Sequence, residues 1–432
     1  MRHLLSLSLL AACLNAAVTA EQQKQFAVEE EKLTWVRNSA SAMSWIPGLG
    51  DVSSLAKPVA SKPTSDEFTA LSSQGGRLTQ GEALAKGLRL IRTSEVRPPR
   101  WMTESDTTTL SRLGVPFMDI TDATELEQAP DALTTLAQPA LPLRLQHQKK
   151  VLGITSTLNT QLMSTALERF TAFRTRYYKS DTGRQSSEWL FGQISNVAQG
   201  ADGNRLKVSV DYFKHKWAQS SIILRIESKS KPVSDETVII SAHQDSVNLW
   251  LPWFGVAPGA DDDGSGTVTI LEALRGLLAS EDFNPDIPVE FHWYSGEEAG
   301  LLGSQDVAKA YQKAGRLIVG MMQMDMTGFY PKNEKVGIIT DFTDPQLTDL
   351  LRNLVTEYTR LQPSDMRCGY ACSDHASWTK AGYRAVMPFE DDDLEANPNI
   401  HTPNDVVSTI RFDHCLEFAK IAVGFAMELS HR

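Results

Sequence analysis

Three apolar runs limit the fold of this chain more than any other feature: TVIISA at 237–242, VEFHWY at 289–294 and LIVGMMQM at 317–324. Each is short and rich in β-branched, aromatic or large apolar residues, so each reads as a strand. Further β-rich runs fall at 206–210, 221–227 and 335–340. The patterning between and after them predicts helices over 158–176, 185–196, 267–279, 304–314, 345–361, 373–380 and 412–429. This alternation predicts a single α/β domain over 141–432, with a mixed, mostly parallel central sheet flanked by helices on both faces. In open sheets of this kind, sites form at the C-terminal ends of the strands.

Those ends carry the chemistry. His243 and Asp245 follow the first run directly. A histidine there can ligate a metal through one ring nitrogen while the carboxylate holds the other. The second run delivers Ser295-Gly296-Glu297-Glu298, and adjacent carboxylates repel unless positive charge lies nearby. His292, inside that run, reads as a core residue. The third run delivers Asp325, whose charge is costly after so apolar a stretch unless a cation receives it.

Two loops complete the set. PGADDDGSG at 258–266 places Asp261, Asp262 and Asp263 ahead of a helical run, and IHTPND at 400–405 carries His401. Neighbours in an extended loop point opposite ways, so either one of the three aspartates or the outer pair can face a common centre. Asp261, Asp263, Ser265, Gly266 and Glu272 also fall at calcium-loop spacing, but Pro252, Gly255, Pro258 and Gly259 break the entering helix that such a loop needs. Together, His243, Asp262, Glu298, Asp325 and His401 supply a nitrogen and oxygen shell for two zinc ions that share one carboxylate. A shared carboxylate offsets the repulsion between paired cations.

The formal charge is -11 and there is no Lys/Arg-rich block, which argues against nucleic-acid and anionic-membrane partners. An apolar stretch from Leu4 to Ala17 followed by Val18-Thr19-Ala20 predicts a secretory signal cut after Ala20, too short to span a membrane. Leu10-Ala11-Ala12-Cys13 resembles a bacterial lipobox, although the apolar stretch continues past Cys13 and favours ordinary cleavage. Residues 21–140 are rich in Ser, Thr, Pro, Gln and charge, and read as a removable or loosely packed extension. Of the remaining cysteines, Cys368 and Cys372 can close a small disulfide loop and leave Cys415 single, or all three can stay reduced. The chain has no Asn-x-Ser/Thr sequon.

The stretches SAHQDSVN, APGADDDGSG, SGEEAGLLGSQD, QMDMTGF, CGYACSDHASW and IHTPND follow in order across 141–432. Through them the chain closely resembles the secreted dizinc leucyl aminopeptidases of fungi and bacteria. RWMTESDTTTLSRLGVPFMDITD is similar to the propeptide of the fungal members. The resemblance implies a zinc-exopeptidase-like fold, with a signal peptide over 1–20, a propeptide ending near 140 and a catalytic domain over 141–432.

It also implies roles for individual residues. Asp262 would bridge two zinc ions, His243 and Asp325 would complete one metal site, and Glu298 and His401 the other. Glu297 would be the general base and then the acid, Asp245 the partner of His243, and Tyr370 the stabiliser of the oxyanion. A disulfide would join Cys368 to Cys372, and the Asp262–Asp263 peptide would be cis. The implied substrate is a peptide with a free N-terminus. Glu297 would activate a water bridging the zinc ions, and a secreted monomer would release one residue per cycle. Met326, Met387 and Phe389 match the family's apolar pocket, but Asp393 stands where relatives commonly carry Phe, which opens the pocket to a first-position Arg or Lys. A single-zinc cyclase of N-terminal glutamine shares the general fold, yet ligands for both metals are present here. A non-catalytic ectodomain on the same scaffold would lack ligands or the base, and none is missing.

Overall fold

The computed structural model describes residues 79–127, 139–142, 144–330 and 334–432, which all fall in one compact unit, Thr79–Arg432. The expected signal segment, Cys13 and the first part of the extension lie outside the described residues.

From Thr79 the chain forms α1 (Gln80–Ala85), β1 (Arg89–Arg92), β2 (Arg100–Met102), α2 (Glu104–Arg112), β3 (Met118–Asp119) and α3 (Thr124–Glu127). The strands make a small antiparallel sheet in the order β2-β1-β3. Thr103 starts α2 with a reciprocal cap: its hydroxyl accepts from the Asp106 N–H, and the Asp106 carboxylate accepts from the Thr103 N–H at 2.8 Å.

Beyond the extension come α4 (Gln148–Thr155), α5 (Thr160–Phe170), α6 (Asp181–Ala198), β4 (Leu206–Phe213), β5 (Ser221–Ser228), β6 (Glu236–His243) and α7 (Gly266–Ala279). Then follow β7 (Val289–Tyr294), α8 (Leu302–Lys313), β8 (Leu317–Gln323), β9 (Val336–Ile339), α9 (Pro345–Tyr358), β10 (Pro363–Met366), α10 (His375–Lys380), β11 (Ala385–Val386), β12 (Pro388–Phe389) and α11 (Phe412–Ser430).

The central sheet has six strands in the order β11-β8-β6-β7-β5-β4. The β11, β8, β6 and β7 strands run parallel, and β5 and β4 add antiparallel at one edge, so the sheet is mixed and mostly parallel as expected. Alternation along β6 covers both faces. Val238, Ile240 and Ala242 enter the larger apolar core with α7 and α11, while Ile239 enters a second core with Val307 and Ala308 of α8 and Trp378 of α10. Burying each such large side chain contributes about 1.5–3 kcal/mol. His292 lies in this interior, bonded to Glu290 at 2.9 Å and to the Tyr294 hydroxyl at 3.0 Å.

Two expectations shift, and one helix was not expected. The strand at 335–340 forms, as β9, but joins a separate three-stranded sheet in the order β10-β9-β12. The edge beyond β8 is already taken by β11. The helix expected over 158–176 ends at Phe170, because Arg176 is drawn into the interior by carbonyls of two loops. The short helix α4 went unread; its two turns hold few apolar residues, of which Val151 and Ile154 are buried.

The extension between Thr79 and Glu127 is folded against the α/β domain. The Asp119 N–H donates to Gly300 O at 3.0 Å, and the Gln305 side-chain amide donates to Asp119 O at 3.2 Å. Met118 and Ile120 share an apolar cluster with Leu301, Tyr370 and Ala371. Among the described residues, no helix is long and apolar enough to cross a membrane.

The start of α7 lies close against the exit of β8. A Cβ on Gly266 would fall 2.2 Å from Met324 O and 2.3 Å from an Asp263 carboxylate oxygen. Gly266→Ala is therefore expected to destabilise the protein by about 1–3 kcal/mol. Thermal unfolding checks this, and an unchanged Tm would mean that helix and strand are not in such close contact.

Candidate metal centre

The strands β7 and β8 lie on opposite sides of β6, so the exits of all three are adjacent. His243 ends β6, Glu297 and Glu298 form a single 3-10 turn after β7, and Asp325 follows β8. The turn before Glu297 is made by Gly296 at φ 75°, a left-handed conformation natural to glycine. Met326 and His401 hold positive φ without being glycine, at 62° and 58°, which only a well-determined surrounding structure sustains.

All five expected ligands come together. His243 Nε2 lies 3.0 Å from Asp262 Oδ1 and 3.5 Å from Asp325 Oδ1. His401 Nε2 lies 2.8 Å from Asp262 Oδ2 and 3.0 Å from Glu298 Oε2. Two triads thus form, His243/Asp262/Asp325 and Asp262/Glu298/His401, each with its ligand atoms within 4.8 Å of one another. Asp262 belongs to both and gives one oxygen to each, the disposition of a bridging carboxylate. A third grouping, Cys368, Cys372 and His375, has its two sulfurs joined in a disulfide.

The loop resolves the three aspartates by direction. Asp262 faces the centre, the Asp262–Asp263 peptide is cis, and its neighbours turn back into the protein. Asp263 accepts the N–H groups of His243 (3.0 Å), Gly266 (2.9 Å) and Met326 (3.1 Å), so one carboxylate ties together the β6 exit, the start of α7 and the β8 exit. Asp261 accepts from the Asn397 amide at 2.6 Å and the Gly328 N–H at 3.2 Å. Glu272 is bonded to Arg275 and the Asn159 N–H, so the calcium-loop spacing has no counterpart in space.

Supporting groups aim the ligands. Asp245 lies 3.6 Å from His243 Nδ1, longer than a hydrogen bond, and its firmer contacts are with the N–H groups of Glu297 at 3.1 Å and Glu298 at 3.3 Å. Four further residues escaped the sequence reading. Asp405 accepts the N–H groups of Asp261 and Asp262 at 2.9 and 3.1 Å. Ser373 donates to Asp325 Oδ2. Asp341 accepts from the N–H groups of Cys368 and Gly369 at 3.1 and 2.8 Å, which steadies the disulfide loop bearing Tyr370. Arg176, fully buried, donates to Gln244 O at 2.8 Å, to Gly259 O at 2.9 Å and to Pro258 O, clamping the loop after His243 to the loop before Asp262. IHTPND and CGYACSDHASW contained two of these; a lone arginine past a helix carried no signal.

Electrostatics follow from so much acid in so little water. Burial pushes the Glu298 carboxyl up to about 7 and Asp405 to about 7. Glu297 keeps some exposure, yet burial holds it well above the usual carboxylate range, opposed by His243 and reinforced by Asp325. Burial would also raise Asp262, but His401 and His243 outweigh it and hold that carboxylate well below its usual range. Both imidazoles are correspondingly pushed well above the usual histidine range: burial alone would lower them, and the facing carboxylates reverse the sign. Arg176 is pulled down to about 10 by burial, against Asp405 and Asp245. The residues fit a metal pair. Neither ring nitrogen of His243 makes a well-formed hydrogen bond despite burial, nor does Glu298 Oε1, and two imidazoles with three carboxylates suit zinc.

Beside the centre, Met326, Met387 and Phe389 join Ile339 and Cys368 in an apolar cluster, with Leu394 and Ile400 packed on it. Asp393 is exposed and spends its carboxylate on the Glu395 N–H at 3.0 Å, so the residue facing the cluster is Leu394. Glu390 turns inward to the N–H groups of Gly328 and Phe329.

Residues 221–426 match the model of Peptidase family M28. The chain is 46% identical over 340 residues to Leucine aminopeptidase 1 of Sclerotinia sclerotiorum, a match covering 77% of this chain and 86% of that protein. It is 45% identical over 343 residues to Leucine aminopeptidase 1 of Aspergillus oryzae, covering 77% and 87%. Among solved structures, the LapA aminopeptidase of Legionella pneumophila superposes with a TM-score of 0.68 at 29% identity, covering 81% of this chain and 97% of that one. LapB of the same organism gives 0.67 at 26%, covering 82% and 97%.

Because Asp405 holds two N–H groups of the loop that presents Asp262, Asp405→Ala is expected to weaken zinc binding about 10- to 100-fold. Titration against a chromophoric chelator checks this, and wild-type affinity would mean that the loop holds Asp262 without it.

Proposed function

The chain belongs to peptidase family M28 and is a zinc metalloaminopeptidase that hydrolyses the N-terminal residue of peptides, and on that premise we propose that its centre holds two zinc ions through these five residues. His243 and Asp325 hold one, Glu298 and His401 the other, and Asp262 both. The observation that carries this reading is the division of the two Asp262 oxygens between His243 and His401.

When bound, the zinc pair polarises the scissile carbonyl and makes a water acidic enough to be deprotonated near neutral pH. Glu297 takes that proton and later delivers it to the leaving nitrogen. Its burial-raised carboxyl suits the second task, and cations nearby make it a base for the first. Asp245 fixes Glu297 and Glu298 through their N–H groups, so base and ligand keep a constant offset. Tyr370, on a loop steadied by Asp341 and the Cys368–Cys372 disulfide, donates to the oxygen that gains charge.

The apolar cluster of Met326, Met387 and Phe389 takes the side chain of the first residue, and Leu394 closes it where Asp393 points to solvent. Leucine is then the preferred residue. The segment 21–140 acts as a propeptide of a secreted enzyme: its Met118 and Ile120 lie against Tyr370, where substrate has to sit, so its removal opens the site.

Two measurements test this reading. Glu297→Gln is expected to lower kcat about 10²- to 10⁴-fold while elemental analysis still finds two zinc ions per chain; a variant with near-normal turnover would refute the base assignment. Wild-type enzyme is expected to cleave leucyl anilide about 10- to 100-fold faster, in kcat/KM, than arginyl anilide, the effect of burying one large apolar side chain. Equal rates would mean that acidic residues, not the apolar cluster, define the pocket.

A further inference from the structure

A cavity of about 310 Å³ lies between the folded extension and the α/β domain, and Glu298 forms part of its wall. On the domain side it is lined by Tyr177, Tyr178, Lys179, Trp217, Leu249 and Leu302, an aromatic and apolar trough with the Lys179 ammonium at its edge and a second, exposed one on Lys216, which pairs with Asp122 of the extension at 3.0 Å. On the other side α2 and the chain around β3 contribute Glu104, Thr107, Phe117 and Asp119. The side chains of Tyr177, Tyr178 and Val247 pack together with Trp217 and Leu249 at the base, so the trough is built into the domain independently of its cover.

One contact across this cavity tells what the trough accepts. The Glu104 carboxylate of the extension places a single oxygen, Oε1, 3.1 Å from the Tyr177 hydroxyl and 3.0 Å from Lys179 Nζ. The ammonium of Lys179 is also held near two rings, 5.2 Å from the Tyr178 centroid and 5.0 Å from that of Trp253. Two donors therefore converge on one carboxylate oxygen, and aromatic faces fix the charged one. Tyr177 to Lys179 follow Arg176, whose buried guanidinium clamps the loops of the metal centre, so this pair of donors is joined directly through the chain to the supports of that centre.

We infer that Tyr177 and Lys179 form a carboxylate-binding subsite for the leaving part of the substrate, occupied in the unprocessed chain by Glu104. With the first residue at the metal centre, the peptide beyond the scissile bond passes Glu298 and enters the trough. Its apolar parts lie on Trp217 and Leu249, and a carboxylate reaches Lys179 and Tyr177. Both a free C-terminus of a short peptide and a Glu side chain beyond the cleaved bond offer that group. This inference rests on the reading that the extension is removed.

The experiment uses the full chain after it has processed itself or been processed, with intact mass recorded. The ratio of kcat/KM for Leu-Ala-Ala as free acid to that for its C-terminal amide is measured, and likewise for the amides of Leu-Glu-Ala and Leu-Gln-Ala. A partly exposed ion pair supports an advantage for at least one carboxylate-bearing peptide of about three- to fivefold at low salt, shrinking as salt is added. The first comparison reports a terminal carboxylate and the second a side chain. In Lys179→Met the favoured ratio is expected to fall to about one; Tyr177→Phe gives the same comparison should that variant not fold. The inference is overturned if wild type treats acid and neutral peptides alike in both comparisons, or if its preference survives both substitutions. It is also overturned if the active enzyme still carries residues 79–127. Leucyl anilide has no leaving carboxylate, so loss of metal-dependent activity on it would instead count against the catalytic reading.

Discussion

The structure is organised around the mutual repulsion of buried carboxylates. Asp261, Asp262, Asp263, Asp325 and Asp405 are buried within one small volume, with Glu297 and Glu298 beside them. Removing even one such charge from water is costly, so each must be met. Some are met by backbone: Asp263 takes three N–H groups and Asp405 two, while the nearby Asp245 takes the pair belonging to Glu297 and Glu298. Arg176 contributes the one fully buried guanidinium among the described residues. Asp262, Glu298 and Asp325 are those paired with His243 and His401, and they are the ones proposed to meet zinc.

Topology brings these groups together. With β7 and β8 on either side of β6, three exits that lie far apart in sequence open onto one edge of the sheet. The loop carrying Asp262 is pressed onto that edge by Asp263 and Arg176, and His401 arrives from the C-terminal region with its carbonyl accepting the Leu249 N–H at 3.2 Å. The same rigid frame extends outward through Tyr177 to Lys179 and through the loop bearing Tyr370. On the proposed reading, the chemistry of the centre and the recognition of substrate share one set of supports.

How much of this can be read from the chain depends on what a residue acts through. His243, Glu298 and Asp325 were legible because an apolar strand that ends in a charged residue announces a site. Asp262 was harder: alternation allowed any one of the three aspartates or the outer two together, and family resemblance was needed to choose. Arg176 and Asp405 act through carbonyls and N–H groups of other loops, which no pattern of side chains encodes. The strand β9 was recognised as a strand, but local patterning does not name its partner, and it pairs with β10 and β12. The fold of residues 79–127 was missed for a related reason. Its strands are two to four residues long and gain burial only by docking, as Met118 and Ile120 do on Leu301 and Tyr370.

Zinc-edge anomalous diffraction from crystals of the processed enzyme tests the central claim most directly. The account predicts two peaks about 3.5–4 Å apart, one against His243 and Asp325 and one against Glu298 and His401, with the Asp262 carboxylate between them. A single peak, or peaks distant from Asp262, would contradict it.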